Sequence, residues 1–213
     1  MIAGQAAGPA AGGPTAGGLR TEVALAHASR LVNHGPTVLV TSLHAGRRNV
    51  MAAAWSMPVE FTPPRIAVVI DKRTFTAELV QASGRVGMDI PGALQADLTH
   101  AVGNTSGRDL PAGTDKFRRY GIEHFNGPAL GLPHVAGCIA WMEGRVIREP
   151  HTEQAYDTFF VEVEWAAADP RVFANGRWHF DDANADLHTL HHLGGGVFAV
   201  PSRIVRAGGV KGG

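Results

Sequence analysis

Residues 49–64 read NVMAAAWSMPVEFTPP, and residues 71–83 read DKRTFTAELVQAS. The first segment opens on a polar residue, passes through Ala52, Ala53 and Ala54, reaches Trp55, and runs extended until Pro63 and Pro64 stop it. It is a strand whose middle is nearly empty of side chain. Something flat could lie against it, close enough for main-chain N–H and C=O groups to reach. A crowded barrel strand, in which alanine simply fits a neighbour, selects the same residues.

Working outward, residues 66–70 (IAVVI) form an apolar strand that runs into Asp71, Lys72, Arg73, Thr74, Phe75 and Thr76, and then into AELVQAS. Thr74 or Thr76 can cap a helix there, leaving its first N–H groups free beside two cations and two hydroxyls. Such an end of a helix suits a phosphate.

The order Asn49-Val50-Met51-x-x-x-Trp55, Pro58-Val59-x-Phe61-x-Pro63-Pro64 and Arg73-Thr74-Phe75-Thr76-x-x-Leu79 continues through Met88-Asp89-Ile90-Pro91. Ser106-Gly107-Arg108-Asp109 and Asp115-Lys116-Phe117 follow. This series resembles the flavin reductase-like family of FMN-binding split barrels, from about residue 36 to residue 201. The resemblance implies a mainly β fold with peripheral helices: a Greek-key, predominantly antiparallel split β-barrel that binds FMN and uses NADH or NADPH as co-substrate. It implies a flavin ring lying along Asn49, Val50, Met51, Ala52, Ala54 and Trp55, with Arg48 near its polar edge. It places the phosphate at Asp71, Lys72, Arg73 and Thr76. Asp89, Ser106, Gly107, Arg108, Lys116 and Phe117 complete the implied cofactor contacts.

Three departures stand out. Asp89 occupies a place where the family commonly has Asn, and a carboxylate can only accept hydrogen bonds and would repel a phosphate. Many relatives carry hydroxyl residues where this chain has Ala52 and Ala54. Residues 111–114 (PAGT) look like an insertion before Asp115. Leu190-His191-His192-Leu193-Gly194-Gly195-Gly196 also resembles a family segment near the flavin face, which implies His191 as a nicotinamide contact or a support for the flavin.

Composition narrows the classes. The chain has 213 residues, 45% of them hydrophobic and 18% charged, enough for one domain with an ample core. We read residues 1–18, rich in Gly, Ala and Pro, as a flexible tail and residues 19–213 as a single domain. Nineteen basic residues balance nineteen acidic ones, so no overall field recruits nucleic acid or an anionic membrane. The single cysteine, Cys138, excludes an intrachain disulfide and a multi-cysteine metal site, and it reads as a small buried hydrophobe. No apolar run approaches a membrane span. The opening residues fail as a signal peptide, which favours the cytoplasm.

Along the chain, residues 19–32 suggest a short helix and residues 36–53 a hairpin through HAGRR. Residues 92–102 suggest a helix with Leu94, Leu98, Ala101 and Val102 on one side. Residues 157–168 alternate, with Phe159, Val161, Val163 and Trp165 pointing one way. On a helix, His188 and His192 would share a face, yet there is no H-E-x-x-H pattern and no third ligand, so we assign no metal. Gly194, Gly196 and Ala199 match G-x-G-x-x-A literally, but without the strand before and helix after that the motif needs.

No catalytic acid, base or nucleophile need come from the protein if a flavin carries the chemistry. The resemblance implies an NAD(P)H-dependent flavin reductase or related FMN oxidoreductase. The alternative is an FMN electron carrier, or a donor of reduced flavin, without nicotinamide turnover of its own. The family resemblance adds a homodimer with flavin near the interface, and a monooxygenase or other electron acceptor as partner.

Overall fold

The computed structural model describes residues 19–208; the tail read at residues 1–18 lies outside the described residues. The strands are, in order, β1 (Thr21–Glu22), β2 (Val38–His44), β3 (Arg47–Ala53), β4 (Ser56–Phe61), β5 (Pro64–Val69) and β6 (Arg85–Ile90). A ribbon of β7 (His124–Asn126) and β8 (Pro133–Val135) precedes the long strands β9 (Ala140–Ile147) and β10 (Thr158–Ala168). Two further ribbons follow: β11 (Phe173–Ala174) with β12 (Arg177–Trp178), and β13 (His191–Gly194) with β14 (Val197–Ala199). Helices α1 (Leu25–Ala28), α2 (Phe75–Ser83), α3 (Ala96–Gly103), α4 (Lys116–Arg119) and α5 (Pro150–Tyr156) lie between them.

The main sheet runs β3-β2-β6-β9-β10-β5-β4, with β1 pairing β10, and every pair is antiparallel. The two ends of this path, β3 and β4, are consecutive in sequence and joined only by Ala54 and Trp55. The sheet must therefore curl round until its ends meet at Ala54 and Trp55, and Trp55 O extends the β4–β5 ladder by accepting from Val69 N–H at 3.0 Å. This is the split antiparallel barrel expected from the resemblance. Its interior is filled by alternate residues of each strand, Ile66 and Val68 from β5, Phe159, Val161 and Val163 from β10. A second cluster, with Leu39, Val50, Phe117 and Trp141, packs on the outside beneath the loop after α4.

Several local expectations need correction. Residues 19–32 do not form one helix: β10 captures the start as a strand, Thr21 opposite Ala168, and only α1 and the 3-10 turn Ser29–Leu31 are helical. The alternation in β10 breaks between Val163 and Trp165, where a bulge shifts the register, so Ala166 rather than Trp165 continues the interior row. The facing Gly144 permits this close approach, since a Cβ there would lie 2.4 Å from Glu162 O. Leu94 sits in a 3-10 turn, Ala93–Gln95, and is exposed, while Val102 of α3 is fully buried. The segment at His188 and His192 is not one helix but a 3-10 stretch, Asp182–Leu187, leading into the β13–β14 hairpin. Cys138 is buried and free.

Candidate functional site

The split between β3 and β4 opens into a cleft. Its first part, about 380 Å3, is walled by Met51, Ala52, Ala53, Ala54 and Trp55, with Thr99, His100, Gly103 and Asn104 from the α3 side and His192 and Phe198 from the β13–β14 hairpin. The small residues of the opening motif thus face open space. Trp55 is 74% exposed at its mouth. Gly103 lets α3 approach the alanine wall, because a Cβ there would sit 3.2 Å from that of Ala52.

Met51, Asp71, Gly103 and Asn104 also line a second, more polar part of about 380 Å3, so the two are continuous. Here the turn after β5 meets the start of α2. Thr74 is the N-cap, its Oγ1 accepting from Ala77 N–H at 3.1 Å. Arg73 stacks its guanidinium on Asp71 in a paired contact, and those hydrogen bonds hold the Asp71 carboxyl down at about 2. Ser106 and Gly107 close the opposite wall, with Ser106 Oγ accepting from Arg108 N–H.

Asn49 is the informative residue of this region. It is 2% exposed; its Nδ2 donates to Thr76 Oγ1 at 2.8 Å, while its Oδ1 is buried without a partner among the described residues. A Cβ on Gly107 would fall 2.6 Å from that oxygen. A buried acceptor left open in this way costs the fold about 1–3 kcal/mol, a cost that a hydroxyl or N–H of a ligand would remove. The residues therefore fit a ligand with an aromatic ring, hydroxyls and an anionic end.

Not every expected contact reaches the cleft. The Val50 side chain is fully buried in the second core cluster, and Phe117 packs beside it under the Arg48 guanidinium. Asp89 is fully buried elsewhere: its Oδ1 stands 2.5 Å from His134 Nδ1 and its Oδ2 accepts from Val135 N–H. Its carboxylate is a structural anchor for β8, which resolves the objection to a carboxylate beside a phosphate. Lys72 turns away to Gln154 O and Asp157. Lys116 forms part of the floor, but its Nζ ties Val50 O to Val102 O, and burial lowers it to about 8. Arg48 pairs with Asp115 at 2.8 Å and, with Arg108, borders a neighbouring cavity rather than the alanine wall. Trp141 is core, its indole N–H donating to Val135 O.

His191 faces away from the cleft, bonded to Thr189 and with its ring tilted against that of His34. His192, its neighbour, lines the alanine cavity instead, as does His100. Consecutive residues of a strand point to opposite faces, so recognising 191–194 as strand would have separated the two histidines. His100 had no such signal: it reaches the cavity because Gly196 of the hairpin packs on its ring, where a Cβ would come within 2.9 Å. No cluster of three metal-ligating side chains occurs among the described residues.

Comparison with known proteins agrees with this geometry. The flavin reductase like domain matches residues 30–187. The chain is 54% identical over 189 residues to the uncharacterized protein YddH of Escherichia coli, covering 87% of this chain and 97% of that one. An FMN-binding domain of a flavin reductases-like enzyme from Shewanella baltica superposes with a TM-score of 0.85 at 43% identity, covering 90% of this chain and 98% of its own. The FMN-binding protein of Thermus thermophilus with bound 1-cyclohex-2-enone shares the fold, with a TM-score of 0.68 at 23% identity over 97% of this chain and 99% of its own.

Proposed function

Because the chain belongs to the flavin reductase like family, we propose that it is an FMN-dependent oxidoreductase that takes hydride from NADH or NADPH and passes electrons to free flavin or another acceptor. The observation that carries this reading is the open Asn49 Oδ1, set between an alanine-walled cavity and the capped start of α2. Bound FMN would supply the redox chemistry. The chain's part is to bind and orient. Ala52 and Ala54 leave room for a planar ring, Asn49 and Thr76 meet hydroxyls, and Arg73 with the first N–H groups of α2 meets the phosphate. His100 and His192 border the ring cavity from the side opposite the alanines, where a second substrate would enter.

The protein acts in this reading as a homodimer. Met57, Val59 and Phe61 are exposed apolar side chains of the end strand β4, which starts beside Trp55 at the cavity mouth. Burying that row against a second copy would bring the interface to the flavin. The acceptor would be free flavin, oxygen or a protein such as a monooxygenase.

Ala52 and Ala54 favour a second reading. They bring no side-chain donors to the flavin edge where charge gathers on reduction, which suits an electron carrier or reduced-flavin donor without nicotinamide turnover. Steady-state oxidation of NADH and NADPH in the presence of FMN separates the two: turnover supports the reductase, and a flat trace with retained flavin supports the carrier.

A further inference from the structure

The part of the ring cavity lined by α3 and the β13–β14 hairpin carries three polar side chains whose hydrogen-bonding capacity the chain does not use up. Thr99 is 1% exposed, and its Oγ1 is buried without a partner among the described residues. His100 follows it. Asn104 Nδ2, one turn on, donates to His100 O at 2.8 Å and stands 3.1 Å from His100 Nδ1. An amide nitrogen has only hydrogens to offer, so Nδ1 accepts and the proton of the neutral ring sits on Nε2. That Nε2–H has no partner among the described residues. His192 comes from the hairpin: Thr37 Oγ1 accepts its backbone N–H at 3.2 Å and its ring tilts against Phe198, while its ring nitrogens bond nothing among the described residues.

A hydroxyl and two imidazoles thus line one cavity with hydrogens to give. Asp71, the carboxylate that lines the same cavity, is already bound to Arg73, so no free anion remains for a cationic ring. The rest of the lining is apolar, with Met51, the alanines, Trp55 and Phe198. A ligand that suits both parts is a flat, largely apolar ring bearing oxygens on which negative charge can gather.

We propose that Thr99, His100 and His192 bind the oxygens of a small quinone, a flat conjugated dicarbonyl compound, and that this quinone is the electron acceptor. The inference rests on the flavin reading for the source of the electrons; the donors on the cavity wall do not depend on it. Reduction adds a hydride equivalent and a proton to the quinone. The electron pair ends on its oxygens as the hydroquinone, the proton comes from water, and the reductant is NADH or NADPH acting through flavin. The three side chains hold the oxygens as charge collects there.

The test uses 4-nitrophenol, a flat ring whose oxygen ionises with a change of colour, titrated into the full chain with and without FMN. The bound phenol should ionise about one pH unit below the free one, a roughly tenfold preference for its anion. Thr99→Val, His100→Phe and His192→Phe should each weaken binding of the anion by roughly fivefold to tenfold. His100→Gln, which keeps an N–H, should recover part of that loss, and FMN affinity should stay within about twofold throughout. The FMN-loaded chain, reduced by light and mixed anaerobically with duroquinone, should be reoxidised at a rate that saturates, with the half-saturating concentration raised about tenfold in the same variants. The phenol titration needs no flavin, so a shifted ionisation that the variants abolish supports the wall even in a chain that retains no FMN, and the two readings fail separately. The proposal is overturned if the phenol does not bind, if its ionisation is unshifted or indifferent to the variants, or if reoxidation by duroquinone does not saturate. It is equally overturned if the variants weaken NADH alone, which would make the wall the seat of the nicotinamide.

Discussion

Asn49 Nδ2 donates to Thr76 Oγ1 at 2.8 Å, tying the end of the barrel's split to the first turn of α2, and leaves Asn49 Oδ1 buried and open among the described residues. This pair links the strand that walls the ring cavity to the helix start that faces the anionic end of a ligand.

Asn49→Leu removes one hydrogen bond and one unsatisfied acceptor together, so the stability of the free protein should change by no more than about 1 kcal/mol. FMN affinity should fall by roughly tenfold to a hundredfold, the loss of one or two buried hydrogen bonds. Thermal melts with and without FMN read both quantities. A large loss of stability without flavin would make Asn49 a structural residue only.

Ala54→Leu places a branched side chain in the alanine-walled cavity. Ala54 is exposed, so the fold should tolerate the change within about 0.5 kcal/mol. Flavin retention after desalting should be lost. Unchanged retention would put the ring somewhere other than along β3.

Phe61→Glu introduces a charge into the exposed apolar row of β4. Sedimentation should show the wild-type chain as a dimer and the variant as a monomer at the same concentration, with flavin retained less firmly because Trp55 loses its cover. A monomeric wild-type chain would remove the dimer from the account.

The buried His134 sets the alkaline limit of stability. Burial alone would lower its imidazole, but the charge and hydrogen bond of Asp89, with Glu143 Oε1 standing 3.8 Å from Nε2, raise it to about 9. The folded state therefore holds this proton more tightly than the unfolded chain, whose histidine titrates near 6.5. Its contribution is complete below that value and is lost as pH rises through about 9. Burial also raises the Asp89 carboxyl, which acts in the same direction. Glu143 has the opposite sign: although burial opposes it, His134 and the N–H groups of Ala129, Leu130 and Leu132 hold its carboxyl low, so its contribution is lost on acidification. Denaturant unfolding across pH should show a fall on the alkaline side that His134→Gln abolishes, at a cost of about 3–5 kcal/mol near neutrality for breaking a buried pair. An alkaline limb unchanged in the variant would assign the titration to another group.

Much of the barrel was legible because its signals are local. The apolar run of β5, the Gly-containing turn between β2 and β3, and a threonine cap at Thr74 or Thr76 each depend on a few adjacent residues, and each appears where the pattern placed it, the cap falling on Thr74. The cleft was legible through the alanines and Asn49. What the sequence concealed depends on contacts far apart in the chain. Nothing near Asp89 announces that His134 is its partner, and nothing near Lys116 shows that two carbonyls, of Val50 and Val102, consume its ammonium. The bulge in β10 needed the facing Gly144, and the choice of His192 over His191 needed the knowledge that a hairpin, not a helix, carries them. Residues 111–114 read only as an insertion until the fold set them opposite Arg47 and Arg108.

The most direct measurement of the central claim is the visible absorption spectrum of the purified chain, incubated with FMN, desalted, and then treated anaerobically with NADH and with NADPH. The account predicts a retained flavin spectrum that bleaches with at least one of the two nucleotides. A chain that elutes without flavin would contradict the cleft's assignment, and retained flavin that neither nucleotide bleaches would contradict the reductase.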